Sequence, residues 1–296
     1  MSTVMKRSAG LALRRFFFRS RGDSPFKRLV IHLVLIIACA IALYPALRVL
    51  SVSLRPGDRL LSTDLSIIPK DATFDNFKRL FTEKDFLLWI WNSLIITITT
   101  ATIGLIMAST SAYAFSRWRF PGRSAGLIFL LSTQMIPAAM MMVPIYIIAA
   151  KLQWINTYRG LALAYSVTSV PFSIWILKGY YDTIPKELEE AAMIDGTSRM
   201  GTFYRIILPL ARPALAIAFL FNFMNAWNDY MLARIMLQKP EMLTWTLGLY
   251  RLQDQFQTEW GMYAAASLLI TLPVGALFFY SSKWLVSGLT LGSVKG

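Results

Sequence analysis

Between residues 29 and 47 the chain runs through 19 positions without a single Asp, Glu, Lys or Arg. As a helix rising 1.5 Å per residue, this run reaches about 28 Å, enough to cross a hydrocarbon layer about 30 Å thick. Inside that layer there is no water to satisfy backbone N–H and C=O groups. The segment must close its hydrogen bonds internally, and an unbroken apolar run does so as a helix. Comparable stretches recur at 89–115, 127–150, 160–177, 214–232 and 262–285. With 56% hydrophobic and only 16% charged residues, a chain of 296 residues is too apolar for one or two soluble domains. The predicted fold class is an all-α integral membrane protein with six transmembrane helices. The first run exceeds a signal-peptide core, and Arg48 follows it in place of a small-residue cleavage site, so it reads as a retained span.

The charges assign sides to the connections. The chain carries 30 Lys and Arg against 16 Asp and Glu, a formal charge of +14. A nucleic-acid surface would gather these on one patch; here they flank the apolar runs, as positive-inside topology requires. With the N-terminus on the cytoplasmic side, inner segments hold 18 basic residues and six acids, and outer segments 11 and nine, leaving out Arg48 and Asp229 at span ends. The layout that follows is a basic cytoplasmic segment at 1–28, a first transmembrane helix within 29–54, an extracytoplasmic loop at 55–88, a core at 89–285 and a cytoplasmic tail at 286–296. Both termini are then cytoplasmic. The leader interleaves its basic residues with Leu11, Leu13, Phe16, Phe17 and Phe18, which suits either a segment lying on anionic lipid or a flexible leader that sets orientation. Cys39 and His32 are single, so neither a disulfide nor a His-rich metal site is available. No G-x-x-x-x-G-K-[ST] segment occurs; any ATP is bound by another polypeptide.

Residues 185–213 form a polar island between the fourth and fifth spans. Pro185 suits a first helical position, where its missing N–H would be unpaired anyway. Glu187, Glu189 and Glu190 suit the positive end of a helix dipole, and Gly196 can take the left-handed conformation that ends the helix. The expected helix is about eleven residues, roughly 16 Å long. Thr197 or Ser198 can cap a second helix, along which Met200, Phe203, Ile207 and Leu210 recur at helical spacing. Pro209 and Pro213 predict a kink before the fifth span. Ala191 and Ala192 are small enough to let another surface approach. An amphipathic helix resting on the bilayer accounts for these local features equally well.

The order Glu190-Ala191-Ala192, Gly196, Ile206, Leu208, Pro209 resembles the full EAA signature of ATP-binding-cassette importer permeases. Seven positions at about 7% usage each coincide by chance in roughly one chain in a million. In that family the segment is a coupling helix seated in a cleft of a cytoplasmic ATPase. The resemblance therefore implies a coupling role for Glu190, Ala191, Ala192, Asp195, Gly196, Ile206, Leu208 and Pro209. Trp227-Asn228-Asp229, Trp260-Gly261, Ala264-Ala265-Ala266 and the ending from Gly288-Leu289-Thr290 to Val294-Lys295-Gly296 further resemble the shorter, six-span permease subunit of the maltose-type sugar group. The implied partners are a second permease subunit, two ATPase subunits, an extracytoplasmic solute-binding protein and a carbohydrate, in a bacterial cytoplasmic (inner) membrane. This chain would be non-catalytic and bind no cofactor or metal, with ATP and Mg held on the partner ATPase. A polyol or a glycerol phosphate could replace the sugar in the same machine. An ion-driven secondary transporter is the competing class, but it expects intramembrane carboxylates and an internal repeat, and Asp229 is the only acid near a span.

Sugar passage needs hydrogen-bonding side chains at membrane depth, where polar groups face the bundle interior or an aqueous path. Asn222, Asn225 and Asp229 fall at i, i+3 and i+7 of the fifth span, with Asn228 adjacent; Asn92 and Gln134 are candidates from neighbouring spans. Bonds to the partner permease, or gating without sugar contact, would use the same residues. By the resemblance, the partner supplies most sugar contacts. Trp245, Tyr250, Gln253 and Gln255 in the outer loop 233–261 are candidates for contact with the solute-binding protein. Trp89 and Trp91 are expected as interfacial aromatics. The Thr, Ser, Ala and Gly content of the second span suits close helix packing.

Overall fold

A computed structural model describes residues 24–58, 66–253 and 258–291, so most of the basic leader, Gln255 and the final five residues lie outside it. In chain order the helices are α1 (Pro25–Ser53), α2 (Asp75–Glu83), α3 (Phe86–Arg117), α4 (Arg123–Thr133), α5 (Ala138–Lys151), α6 (Tyr158–Tyr181), α7 (Glu187–Ile194), α8 (Arg199–Thr202), α9 (Arg212–Asn228), α10 (Met231–Met236), α11 (Trp245–Arg251) and α12 (Trp260–Leu291). No strand occurs among the described residues. Four helices (α1, α3, α6 and α12) are long and apolar enough to cross a membrane, and six spans result if two bent pairs each count as one.

Helix α1 begins where Ser24 Oγ accepts a hydrogen bond from Lys27 N at 3.2 Å and Pro25 fills the first helical position. Its apolar side chains from Phe26 to Tyr44 are uncovered by the other described residues, and it leans on α12. The connection 55–88, expected only as a polar loop, contains α2. Leu80 is fully buried there, and Asn76 Nδ2 donates to the carbonyls of Ser53 and Arg55 at 2.9 and 2.8 Å. That amide closes off carbonyls left open at the end of α1. Arg79 and Lys84 pair with Glu259 at 2.7 and 3.0 Å, tying α2 to the start of α12.

Helix α3 is the central element. Thr97, Thr100, Ala101, Gly104, Ala108 and Ala112 turn inward against α6 and α9, and small side chains let the backbones close up. A Cβ on Gly104 would stand 3.3 Å from Asn222 Nδ2. Of the two aromatics expected at the interface, Trp91 is exposed but Trp89 is buried. Helix α11 lies across its indole so closely that a Cβ on Gly248 would come within 2.1 Å of the ring. A tertiary contact, invisible in local sequence, overrides the interfacial preference.

Two expected spans are broken. The third divides into α4 and α5 at an angle of 104°. Pro137 caps α5 from outside the helix; it has no N–H to continue α4 and disfavours helical backbone in the residue before it. Pro144 is accommodated inside α5. Ahead of the fifth, the chain bends by 80° between Arg199–Leu210 and α9, at Ala211 between Pro209 and Pro213, which is the expected kink. The fifth itself stops early: α9 ends at Asn228, and Asp229 is extended with ψ 133° before α10 begins. The sixth span continues instead past its expected end, through Leu291.

The core forms two clusters. One, around Trp89, Ile96, Tyr165, Trp227, Leu247 and Met262, lies at the end bearing α10 and α11. The other, around Tyr113, Leu177, Tyr181, Phe203 and Ile207, underlies the island.

Candidate coupling segment and translocation cleft

The island folds as its chemistry suggests, with one correction at its start. Pro185 stands outside α7, and Lys186 is the cap residue, its carbonyl accepting from Glu189 N and Glu190 N at 2.9 and 3.0 Å. The helix is eight residues long instead of eleven. Glu187, Glu189 and Glu190 occupy its first turn, beside the exposed N–H groups. Gly196 has φ 83° and reverses the chain, while Thr197 N bonds Ala192 O at 2.9 Å. Of the two cap candidates, Ser198 takes the role, accepting from Gly201 N at 3.2 Å. Next, Phe203–Ile207 form a single π-helical turn closed by Leu208 N on Phe203 O. Phe203 and Ile207 are buried, Ile206, Leu208 and Pro209 half-buried, and Met200 and Leu210 exposed.

Helix α7 has two faces. Glu189 and Ala192 turn inward. Glu187, Glu190, Ala191 and Ile194 turn outward, and Ile194 is 86% exposed. Asp195 is exposed at the helix end. The outward face therefore offers two carboxylates, one small residue and one uncovered apolar tip.

The inward face is held by α3. Tyr113 OH donates to Glu189 Oε2 at 2.7 Å, and Arg117 Nε donates to Glu189 Oε1. The Arg117 guanidinium also reaches Ile184 O at 3.0 Å and Ser116 Oγ at 3.1 Å. Ser116 Oγ in turn donates to Asp182 Oδ1 at 2.7 Å, and Lys178 Nζ holds Asp182 Oδ2 at 2.5 Å. Burial pushes the Asp182 carboxyl up, but the hydrogen bonds from Lys178 and Ser116 outweigh it and hold the group below the usual carboxylate range. Tyr113 stacks on Phe203 at 4.7 Å, so α3 grips the island on both sides of Gly196.

Away from the island, the break between α4 and α5 opens a cleft of about 640 Å³ lined by Gln134, Pro137, Met141, Tyr165, Asn225 and Asp229. Gln134 Nε2 donates to Thr168 O at 3.3 Å. Asp229 Oδ1 accepts from Tyr165 OH at 2.9 Å and from Leu232 N and Ala233 N at 3.0 and 3.1 Å, so the carboxylate caps α10 while bordering the cleft. Of the six polar residues singled out in the sequence, Gln134, Asn225 and Asp229 share this cleft, and Gln134 and Asn225 also line a second cleft of about 300 Å³ together with Asn222. Asn222 is buried against Gly104, with Ser173 Oγ 3.1 Å from its Oδ1. Asn228 is exposed and donates to Met224 O at 2.9 Å. Asn92, 1% exposed, donates to Glu241 O and Leu243 O at 2.9 Å each and accepts from Tyr158 OH at 2.8 Å. Every polar atom of its amide is thereby occupied in fastening α6 and the connection that follows α10 to α3.

In that connection, Trp245 is half-buried with its ring 5.9 Å from Trp227, whereas Tyr250 is exposed and pairs with Tyr230 at 5.0 Å. Gln253 is exposed. Sequence reasoning missed the roles of Glu189, Arg117, Tyr113 and Tyr165. Arg117 entered only as a topological charge. Nothing local signals that residues 72 and 76 positions apart meet at Glu189.

Comparison with known proteins agrees with this architecture. The family described as binding-protein-dependent transport system inner membrane component matches residues 100–290. The galactooligosaccharides transport system permease protein GanQ of Bacillus subtilis is 38% identical over 269 residues, covering 90% of this chain and 94% of that protein. The maltodextrin transport system permease protein MdxG of the same organism is 36% identical, covering 90% and 95%. In fold, the chain resembles one in the crystal structure of a bacterial ABC transporter importing the acidic polysaccharide alginate, with a TM-score of 0.76 at 24% identity, over 90% of this chain and 98% of that one. A family match across most of the chain, together with relatives of nearly equal length, leads to one conclusion: this chain belongs to the binding-protein-dependent transport system inner membrane component family of permeases.

Proposed function

We propose that the chain is the six-span permease subunit of an ATP-driven carbohydrate importer, with 185–213 as the segment through which a separate ATPase acts. The observation that carries this reading is the division of α7. Its inner face is fastened to α3 by Glu189, while Glu187, Glu190, Ala191 and Ile194 stand outward with nothing among the described residues to cover them. The partners are a second permease subunit, two ATPase subunits binding ATP and Mg, and an extracytoplasmic solute-binding protein. Both termini and the island lie on the cytoplasmic side in this reading, which the excess of basic residues in those segments supports. ATP changes the arrangement of the spans only through a difference in affinity between their two states, and α7 is the contact that conveys that difference.

The cleft favours a neutral carbohydrate. Its described lining holds Thr133, Gln134, Tyr165, Thr168, Asn225 and Asp229 among apolar side chains and contains no Lys or Arg. A phosphate or an acidic sugar would meet the Asp229 carboxylate without a compensating cation, which counts against glycerol phosphate. The names of the relatives, galactooligosaccharides and maltodextrin, support the same class.

The test is cross-linking to the ATPase in assembled inner-membrane complexes, combined with uptake of radiolabelled malto- and galacto-oligosaccharides. The cysteine belongs at Ala191, on the outward face; Ala192 is 8% exposed and turns inward. Ala191→Cys, in a Cys39→Ser background, is expected to cross-link to the ATPase and to be labelled only from the cytoplasmic side. Labelling from outside alone would invert the topology. Absence of cross-linking at Ala191 and Glu190 together would remove α7 from the interface.

A further inference from the structure

Resting on the coupling role proposed for α7, we infer that Glu189 is a positioning residue: with Arg117 and Tyr113 it forms a rigid joint that makes the end of α3 move as one body with the coupling helix. Glu189 stands beside the EAA triplet and, like Ala192, faces inward: it is 7% exposed, with its carboxylate turned to α3 instead of to the outward face of α7. Both of its oxygens are engaged by one helix at positions one turn apart, Tyr113 and Arg117. Two anchors at i and i+4 fix an axis as well as a distance, which a single hydrogen bond would not. Arg117 extends the same guanidinium to Ile184 O, just before α7, so both the approach to the helix and its first turn are held.

The rest of the island is attached to the same point. Tyr113 is 4% exposed and stacks on Phe203 at 4.7 Å, at the start of the π-helical turn. Ser116 passes the connection to Asp182 and thence to Lys178 near the end of α6. The contacts of Tyr113 and Arg117 to Glu189, buried in low dielectric, are costly to leave half-made, whereas the Lys178–Asp182 pair is exposed. A pull on α7 therefore does not stretch the joint; it carries α3 along. Because α3 packs along α6 and α9, which border the cleft, displacement of the island reaches the cleft through α3 directly, besides the bent connection at Ala211.

The experiment places spin labels at Leu188→Cys, on the flank of α7, and Ile106→Cys, on the exposed side of α3, in full-length Cys39→Ser chain assembled with its partners. The distance is measured without nucleotide and after trapping with ATP and vanadate. The expected result is a narrow distribution that does not shift between the two states, and a shifted or broadened one on trapping when Glu189→Ala is added. Tyr113→Phe, which removes one hydrogen bond and keeps the ring, is the milder variant and should give a partial effect. In the same preparations, Glu189→Ala should leave ATPase co-purification unchanged while sugar moved per ATP falls about tenfold, within the 5- to 150-fold range of ordinary coupling energies. A distance that already shifts in the unmodified joint, or one that stays fixed in Glu189→Ala, overturns the inference. Loss of the ATPase from Glu189→Ala complexes would make Glu189 a docking contact and overturn it too. The distance readout requires no sugar. Failure of the carbohydrate assignment, seen as no uptake by the unsubstituted chain, is therefore distinguishable from failure of the joint.

Discussion

Asn92 offers the sharpest contrast between a residue that serves transport and one that holds the fold. Its amide sits 1% exposed on α3 and makes three hydrogen bonds, two to the carbonyls of Glu241 and Leu243 and one from Tyr158. Asn92→Ala removes all three. At about 1 kcal/mol net for each bond the loss is about 3 kcal/mol. For a chain of this size each kcal/mol moves an unfolding midpoint by roughly 2–4 °C, so the midpoint should fall by about 6–12 °C. Asn92→Asp should be worse, because a carboxylate would face two carbonyl oxygens without a donor. Asn92→Gln keeps the chemistry but is one methylene too long, and should fall between wild type and Ala. The assay is the thermal midpoint of the detergent-solubilised chain by fluorescence-detected size exclusion, with the KM for oligosaccharide uptake measured in parallel. If Asn92→Ala left the midpoint unchanged while KM rose, the hydrogen-bonded lock would be refuted and Asn92 would return to the transport path.

Gly248→Ala would place a methyl 2.1 Å from the buried indole of Trp89; overpacking should cost about 1–3 kcal/mol, and Trp89→Leu in the same chain should restore part of the midpoint. Gly196→Ala meets open space around its new methyl, so its cost is conformational alone: φ 83° should make it about 1 kcal/mol. Gly196→Pro cannot take that φ, and should abolish transport while leaving membrane insertion intact. Asp182 has a depressed pKa in the fold, so its contribution to stability is fully present above the unfolded carboxylate value and is lost as pH falls through the folded one. In acid titrations below about pH 4, Asp182→Asn should show a shallower loss of stability than the unsubstituted chain. An unchanged acid limb would show that the Lys178–Asp182–Ser116 contacts contribute nothing to stability.

How much of this was legible in the residues depends on the range over which each signal acts. Apolar runs, helix caps and helix breakers work within a few positions, and most read correctly; the exception is Pro185, which stands outside α7 instead of opening it. The uncharged stretch at 29–47 lies within α1, Gly196 is left-handed, Ser198 caps, and the kink before the fifth span falls between Pro209 and Pro213. Bilayer thickness and backbone hydrogen bonding impose these features on any chain with such a pattern. The seven residues from Glu190 to Pro209 carried the family assignment for a different reason: several fixed positions at fixed spacing are rare by chance.

The purposes of individual polar side chains were not legible, because they depend on which distant backbone arrives beside them. The spacing of Asn222, Asn225 and Asp229 predicted one stripe on one helix. Folding packed Asn222 against Gly104 at the side of a smaller cleft, left Asn225 on both clefts, and carried Asp229 past the helix end, where it borders the larger cleft bonded to Tyr165. Trp89 had the composition of an interfacial anchor and became core when α11 crossed it. Arg117 was a charge to be counted until α7 brought Glu189 to it across 72 residues. Short-range geometry and solvent settle where helices start, stop and cross the membrane. Long-range packing alone settles which buried polar groups find partners, and through those partners whether a residue binds, couples or simply holds.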